Sequence, residues 1–218
     1  MSLPRSEHAV FDYRLLRLVM GLIAFLLPLI VDLASSEALS SISASYHTEA
    51  RDLFVGLLFV VGALLMAYRG HTARENRWAN LAAIAAVLVA LFPVPDVGEA
   101  VSWATWIHYA AASGLFGILA WFCYGPFQER TRGRGGLKGR RARIYRASGW
   151  TIVGSMAGLG VSGLLLDPDT SASYGVIYWA EFIALWAFGM AWITAGKVIP
   201  LLTGPEDAWW GRASKASS

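Results

Sequence analysis

Residues 18–33 read LVMGLIAFLLPLIVDL, and this stretch decides the fold. Only Asp32, at its far end, is ionisable. With its flanks, from Arg14 to Ala34, it reaches the roughly 20 residues that cross a hydrocarbon core of about 30 Å as a helix. Signal-peptide cores are shorter, about 7–15 residues. The Leu-Ala-Ser-Ser-Glu that follows is a weak cleavage site, so the run reads as a retained span.

Five further apolar runs follow, at about 52–68, 79–93, 103–127, 149–166 and 174–198. The expected fold is therefore all-α: a polytopic membrane protein, one domain over 1–218, with a six-transmembrane-helix bundle. The third run, at roughly 15 residues, is short for the core thickness. Composition agrees, with 56% hydrophobic and 15% charged residues, where soluble domains carry about 25% charged. The single cysteine, Cys123, excludes an internal disulfide and a cysteine-built zinc site.

The charges fix an orientation. Of the 18 Lys and Arg, all but Arg51 fall on alternate segments. Arg5, Arg14 and Arg17 lead into the first span, and Arg69, Arg74 and Arg77 separate the second from the third. The basic loop 128–148 carries eight cations, from Arg130 to Arg146, and Lys197, Arg212 and Lys215 follow the sixth span. The positive-inside rule puts these segments and both termini in the cytoplasm. The net charge of +3 is thus a topology signal, and no nucleic-acid partner is expected. The glycine-rich basic loop reads as mobile and suited to anionic lipid headgroups. Gly154, Gly158 and Ser162 form a small-xxx-small stripe, a face for close helix approach or for an oligomer. The letters Gly158-Leu-Gly160-Val-Ser-Gly163 match a dinucleotide fingerprint but lie inside a span with no preceding strand, so no nucleotide is expected.

Arg51 is the cation on the wrong side, in Tyr46-His47-Thr48-Glu49-Ala50-Arg51-Asp52. Asp32 ends the first span at that outer side. His108 sits about 8 Å into the fourth span and Glu181 about 10 Å into the sixth, at 1.5 Å per residue. Ionisable groups at such depth are costly and usually face partners in the bundle. His108, Glu181 and Asp52 are the candidates for acid–base catalysis. Arg51, Tyr46 and Trp179 are those for gripping an anionic or amphiphilic substrate. His47, His108 and Asp52 are the candidate metal ligands, for which Zn²⁺ suits the donor types. Arg51 could instead pair with Glu181 or Asp32. The segment 35–50 reads equally as a surface amphipathic helix or a loop folding back into the bundle.

Tyr46-His47-Thr48, Ala50-Arg51-Asp52-Leu-Phe-Val-Gly56, Tyr68-Arg69-Gly70, Val89-Ala90-Leu91-Phe92-Pro93, His108-Tyr109 and the string Arg143 to Gly149 together resemble a family of bacterial integral membrane proteins of unknown function. The resemblance covers about 41–149 and implies residence in the bacterial plasma (inner) membrane. More distantly, the layout of Ser, His and Asp is similar to the alkaline ceramidase-like membrane hydrolases. That likeness implies zinc, with Ser43, His47, Asp52 and His108 standing in for the family's site residues. The chain departs from that pattern in having six expected spans where the family has seven, and in lacking its closing HxxxH pair.

Three functions follow as expectations: a metal-dependent hydrolase of a lipid or amphiphile at the outer leaflet, a transporter or binding protein for a small or lipidic solute, and a structural or regulatory membrane component. Membrane lipids are the expected partners in each.

Overall fold

The computed structural model describes residues 13–96, 99–131 and 135–204. Among them the chain is all helical, with no strand. Six long helices carry the fold: α1 (Tyr13–Ala34), α2 (Arg51–Ala67), α3 (Ala73–Leu91), α4 (Trp103–Tyr124), α6 (Gly136–Leu165) and α8 (Val176–Gly196). Two short helices, α5 (Pro126–Glu129) and α7 (Pro168–Ser173), and a 3₁₀ turn at Ser43–His47 lie in the links. Of these, α1, α4 continued through α5, α6 and α8 are long and apolar enough to cross a membrane. The other two differ in physical terms: α2 has only 17 residues, and α3 opens with Arg74, Glu75 and Arg77.

The ends have local causes. Thr72 caps α3 by accepting from the Glu75 amide, and Ser102 and Thr105 form a reciprocal capping box on α4. Gly125 and Pro126 break α4 from α5, with proline in the first helical turn, where its missing amide hydrogen leaves no helical bond unmade. Gly175, at φ +58°, supplies the left-handed residue that starts α8.

Two helices start well before the apolar runs they contain. Helix α3 begins at Ala73, not near 79, and α6 begins at Gly136, not near 149. Hydropathy marks where a helix is apolar, whereas Arg, Lys and Glu are good helix formers that extend it into water. The span from Lys138 to Arg146, expected in a mobile loop, is therefore helix. Arg5, Arg132, Arg134, Arg212 and Lys215 lie outside the described residues.

The long helices close a ring in the order α1, α2, α3, α4, α6, α8 and back to α1. Two cores fill it. Toward the basic end, Tyr68, Phe122, Phe127, Phe188 and Trp192 pack ring against ring at centroid distances of 5.2–5.9 Å. Toward the other end, Leu27, Val31, Phe54, Leu58, Val89 and Ala111 gather around Ile42, which comes from the link after α1. Glycines set the tightest crossing. A Cβ on Gly21 would lie 2.8 Å from the Gly189 carbonyl oxygen, and one on Gly189 would lie 2.7 Å from that of Gly21. The Gly154–Gly158 stripe makes no such approach, with nothing within 4 Å of either position.

Candidate functional site

The segment 35–50 resolves to the second of its two readings: it folds back over the open end of the ring. Ser41, Ile42, Ser43 and Ser45 are buried. The serines satisfy the tight backbone locally, Ser41 Oγ accepting from the Ala44 amide at 2.9 Å and Ser45 Oγ donating to the Ile42 carbonyl at 2.7 Å. Two stitches close the segment on its own base. Ser35 and Thr48 share a hydroxyl hydrogen bond at 3.0 Å, and Ser36 donates to the Glu49 carboxylate from its hydroxyl at 2.9 Å.

Glu181 meets the start of the 3₁₀ turn. Its Oε2 accepts from the amides of Ile42 at 2.6 Å and Ser43 at 3.2 Å, and its Oε1 accepts from the Ser43 hydroxyl at 3.2 Å. The first amides of any helical turn lack backbone partners and carry partial positive charge, so a carboxylate is the natural acceptor there. Glu181 thus reaches from α8 to pin a buried turn nearly 140 residues earlier in the chain.

The two histidines bond two carbonyls of one link, the segment that follows α3. His108 Nδ1–H donates to the Phe92 carbonyl at 2.6 Å, and His47 Nε2–H donates to the Val94 carbonyl at 2.7 Å. A carbonyl only accepts, so the ring nitrogens carry the protons. Pro93 and Pro95 end α3 and have no amide hydrogen, which leaves a link with carbonyls to satisfy and no helix to satisfy them.

Arg51 pairs with neither Glu181 nor Asp32. Its Nη2 donates to the Tyr46 hydroxyl at 3.0 Å, and its guanidinium carbon stands 4.5 Å from the centre of the Tyr46 ring. Asp52 is exposed in the first turn of α2, where a carboxylate suits the helix dipole. Trp179 is more than half exposed and stands edge-on to Tyr178. Among the described residues no three His, Cys, Asp or Glu side chains converge as metal ligands. The arrangement of His47, His108 and Asp52 does not fit Zn²⁺.

Beside Ser43 and Glu181 lies a cavity of about 40 Å³, otherwise walled by apolar side chains such as Leu27, Phe54 and Phe116. It has room for a few waters.

At the opposite end a second polar knot was not evident in the charge pattern. Glu75, 5% exposed, accepts from Arg130 at 2.6 Å and from the His71 amide at 3.2 Å, tying the α2–α3 turn to α5. The sequence signal was available in Thr72-Ala-Arg-Glu75, a capping-box spacing. Arg17 donates to the Ala195 carbonyl and the Tyr68 hydroxyl, joining α1, α2 and α8.

Comparison with protein-family models, with curated proteins and with solved structures returns no match to this chain.

Proposed function

We propose that this chain is a six-span membrane protein with its basic segments and termini in the cytoplasm. Its role is that of a structural or regulatory membrane component, and its outer polar cluster serves to hold the 35–50 segment in the bundle. The observation that carries the reading is Glu181. Its two oxygens accept three hydrogen bonds from Ile42 and Ser43, which commits the carboxylate to holding the turn. The neighbouring cavity of about 40 Å³ is far below the 300 Å³ or more typical of small-molecule sites. A carrier would need a polar path to the other face, and among the described residues the basic end is filled by a packed aromatic core. These features favour a static staple over a hydrolase or transporter.

Paired variants test it. Glu181→Ala strands three donors, and its expected cost is about 2–4 kcal/mol of stability. Glu181→Gln keeps an acceptor for the amides, and the expected cost is below about 1 kcal/mol. Thermal unfolding in a mild detergent, with protease sensitivity of the 35–50 segment as a second readout, measures both. Equal stability of Glu181→Ala and the parent chain would overturn the staple.

A further inference from the structure

An apolar groove of about 320 Å³ runs along the outside of the ring between α2 and α3. Its walls are Phe59, Ala63 and Met66 on one helix and Ile84, Val87 and Leu88 on the other. The floor is low because Gly62 lets the helices close: a Cβ there would meet Val87 at 3.1 Å and the Ala83 carbonyl at 3.3 Å. The volume falls at the small end of ligand sites, about 300–1,000 Å³.

One end of this groove is cationic. Arg69 folds back on the last turn of α2, its Nη1 donating to the carbonyl of Met66, itself a groove wall, at 3.0 Å. On α3, Arg77 lies seven residues before Ile84 and eleven before Leu88, hence on the same helical stripe. Both arginines are exposed, and neither forms an ion pair among the described residues. From Met66 to Phe59 the groove rises seven residues, about 10 Å. That fits inside one leaflet, whose share of the hydrocarbon core is about 15 Å.

We infer that this groove is a binding site for an anionic phospholipid of the surrounding bilayer, with an acyl chain along the apolar walls and the phosphate at Arg69 and Arg77. The site rests on the membrane reading above, and on that reading the lipid comes from the cytoplasmic leaflet. Basic pockets between transmembrane helices on that side are suited to such headgroups.

Native mass spectrometry of the full chain in a non-ionic detergent tests it, with phosphatidylglycerol titrated against phosphatidylcholine of matched chains. The parent chain is expected to retain phosphatidylglycerol preferentially. The Arg69→Gln/Arg77→Gln double variant is expected to lower that retention about 25-fold, at about fivefold per cation, and to leave phosphatidylcholine unchanged. The Arg69→Lys/Arg77→Lys pair keeps the preference. Ala63→Phe, which fills the groove, lowers retention of both lipids, and Ala63→Leu serves if the phenylalanine variant does not fold. Unchanged phosphatidylglycerol retention in the glutamine pair, at an unchanged melting temperature, overturns the site. Retention in detergent reads the groove alone. Labelling from the two sides of a sealed vesicle reads its orientation, so failure of the topology is separable from failure of the site.

Discussion

Ser36 holds Glu49 with its hydroxyl at 2.9 Å and its backbone amide at 3.4 Å. The Glu49 carboxyl is lowered below its ordinary value, first by its own backbone amide and then by these Ser36 donors. A carboxyl depressed in the folded state contributes stability that is complete above the unfolded pKa and is lost as pH falls through the folded one. Ser36→Ala is therefore expected to move the Glu49 titration back toward the ordinary carboxylate range, as read by side-chain NMR. An unmoved midpoint would show that Ser36 does not hold the carboxylate. Residue-scale reading of the sequence had mixed returns. Charge patterning singled out Arg51, but that guanidinium lies on Tyr46, a contact worth about 0.5–1 kcal/mol at an exposed site. Glu181 was legible as a costly residue needing partners. Its partners were not, because backbone amides carry no letter in a sequence.

Between elements, the distinction that matters is which glycines sit at a crossing. Pattern alone pointed to α6, where Gly154, Gly158 and Ser162 repeat at the spacing of close-packed membrane helices. Within the chain the close approach is between α1 and α8, at Gly21 and Gly189, which belong to opposite ends of the chain and show no motif in either helix. Gly189→Ala is expected to cost about 1–3 kcal/mol through overpacking against the Gly21 carbonyl. Gly154→Ala, with open space around it, is expected to be neutral or to gain up to about 1 kcal/mol from helix propensity. Detergent melting curves of the two variants separate the cases, and equal effects would mean that the α1–α8 contact is not tight. Helix existence was readable because apolar runs of this length have few other uses. Helix starts were not, since α3 and α6 begin among charged residues that favour helix without being apolar.

Across the whole molecule, the ring is closed by α1 against α8, so every long helix has two neighbours. Four helices meet the demands of a membrane by length and composition. The number of spans turns on α2 and α3, which at 17 and 19 residues rise about 25 Å and 28 Å, slightly under a hydrocarbon core of about 30 Å. Four spans and six spans place both termini, the α4–α6 basic segment and the 35–50 segment identically, because α2 and α3 enter or leave the count as a pair. Only the short link between them changes sides. That link carries Arg69 and is followed by Arg74 and Arg77, a cluster that the positive-inside rule puts in the cytoplasm. Cys123 is fully buried and should stay silent toward thiol reagents, so single added cysteines are readable. Ser36→Cys is expected to react with a membrane-impermeant maleimide only from outside the cell, and His71→Cys only in inverted vesicles. Reaction of His71→Cys from outside would refute six spans and leave four, with α2 and α3 folded together on the outer side of the membrane.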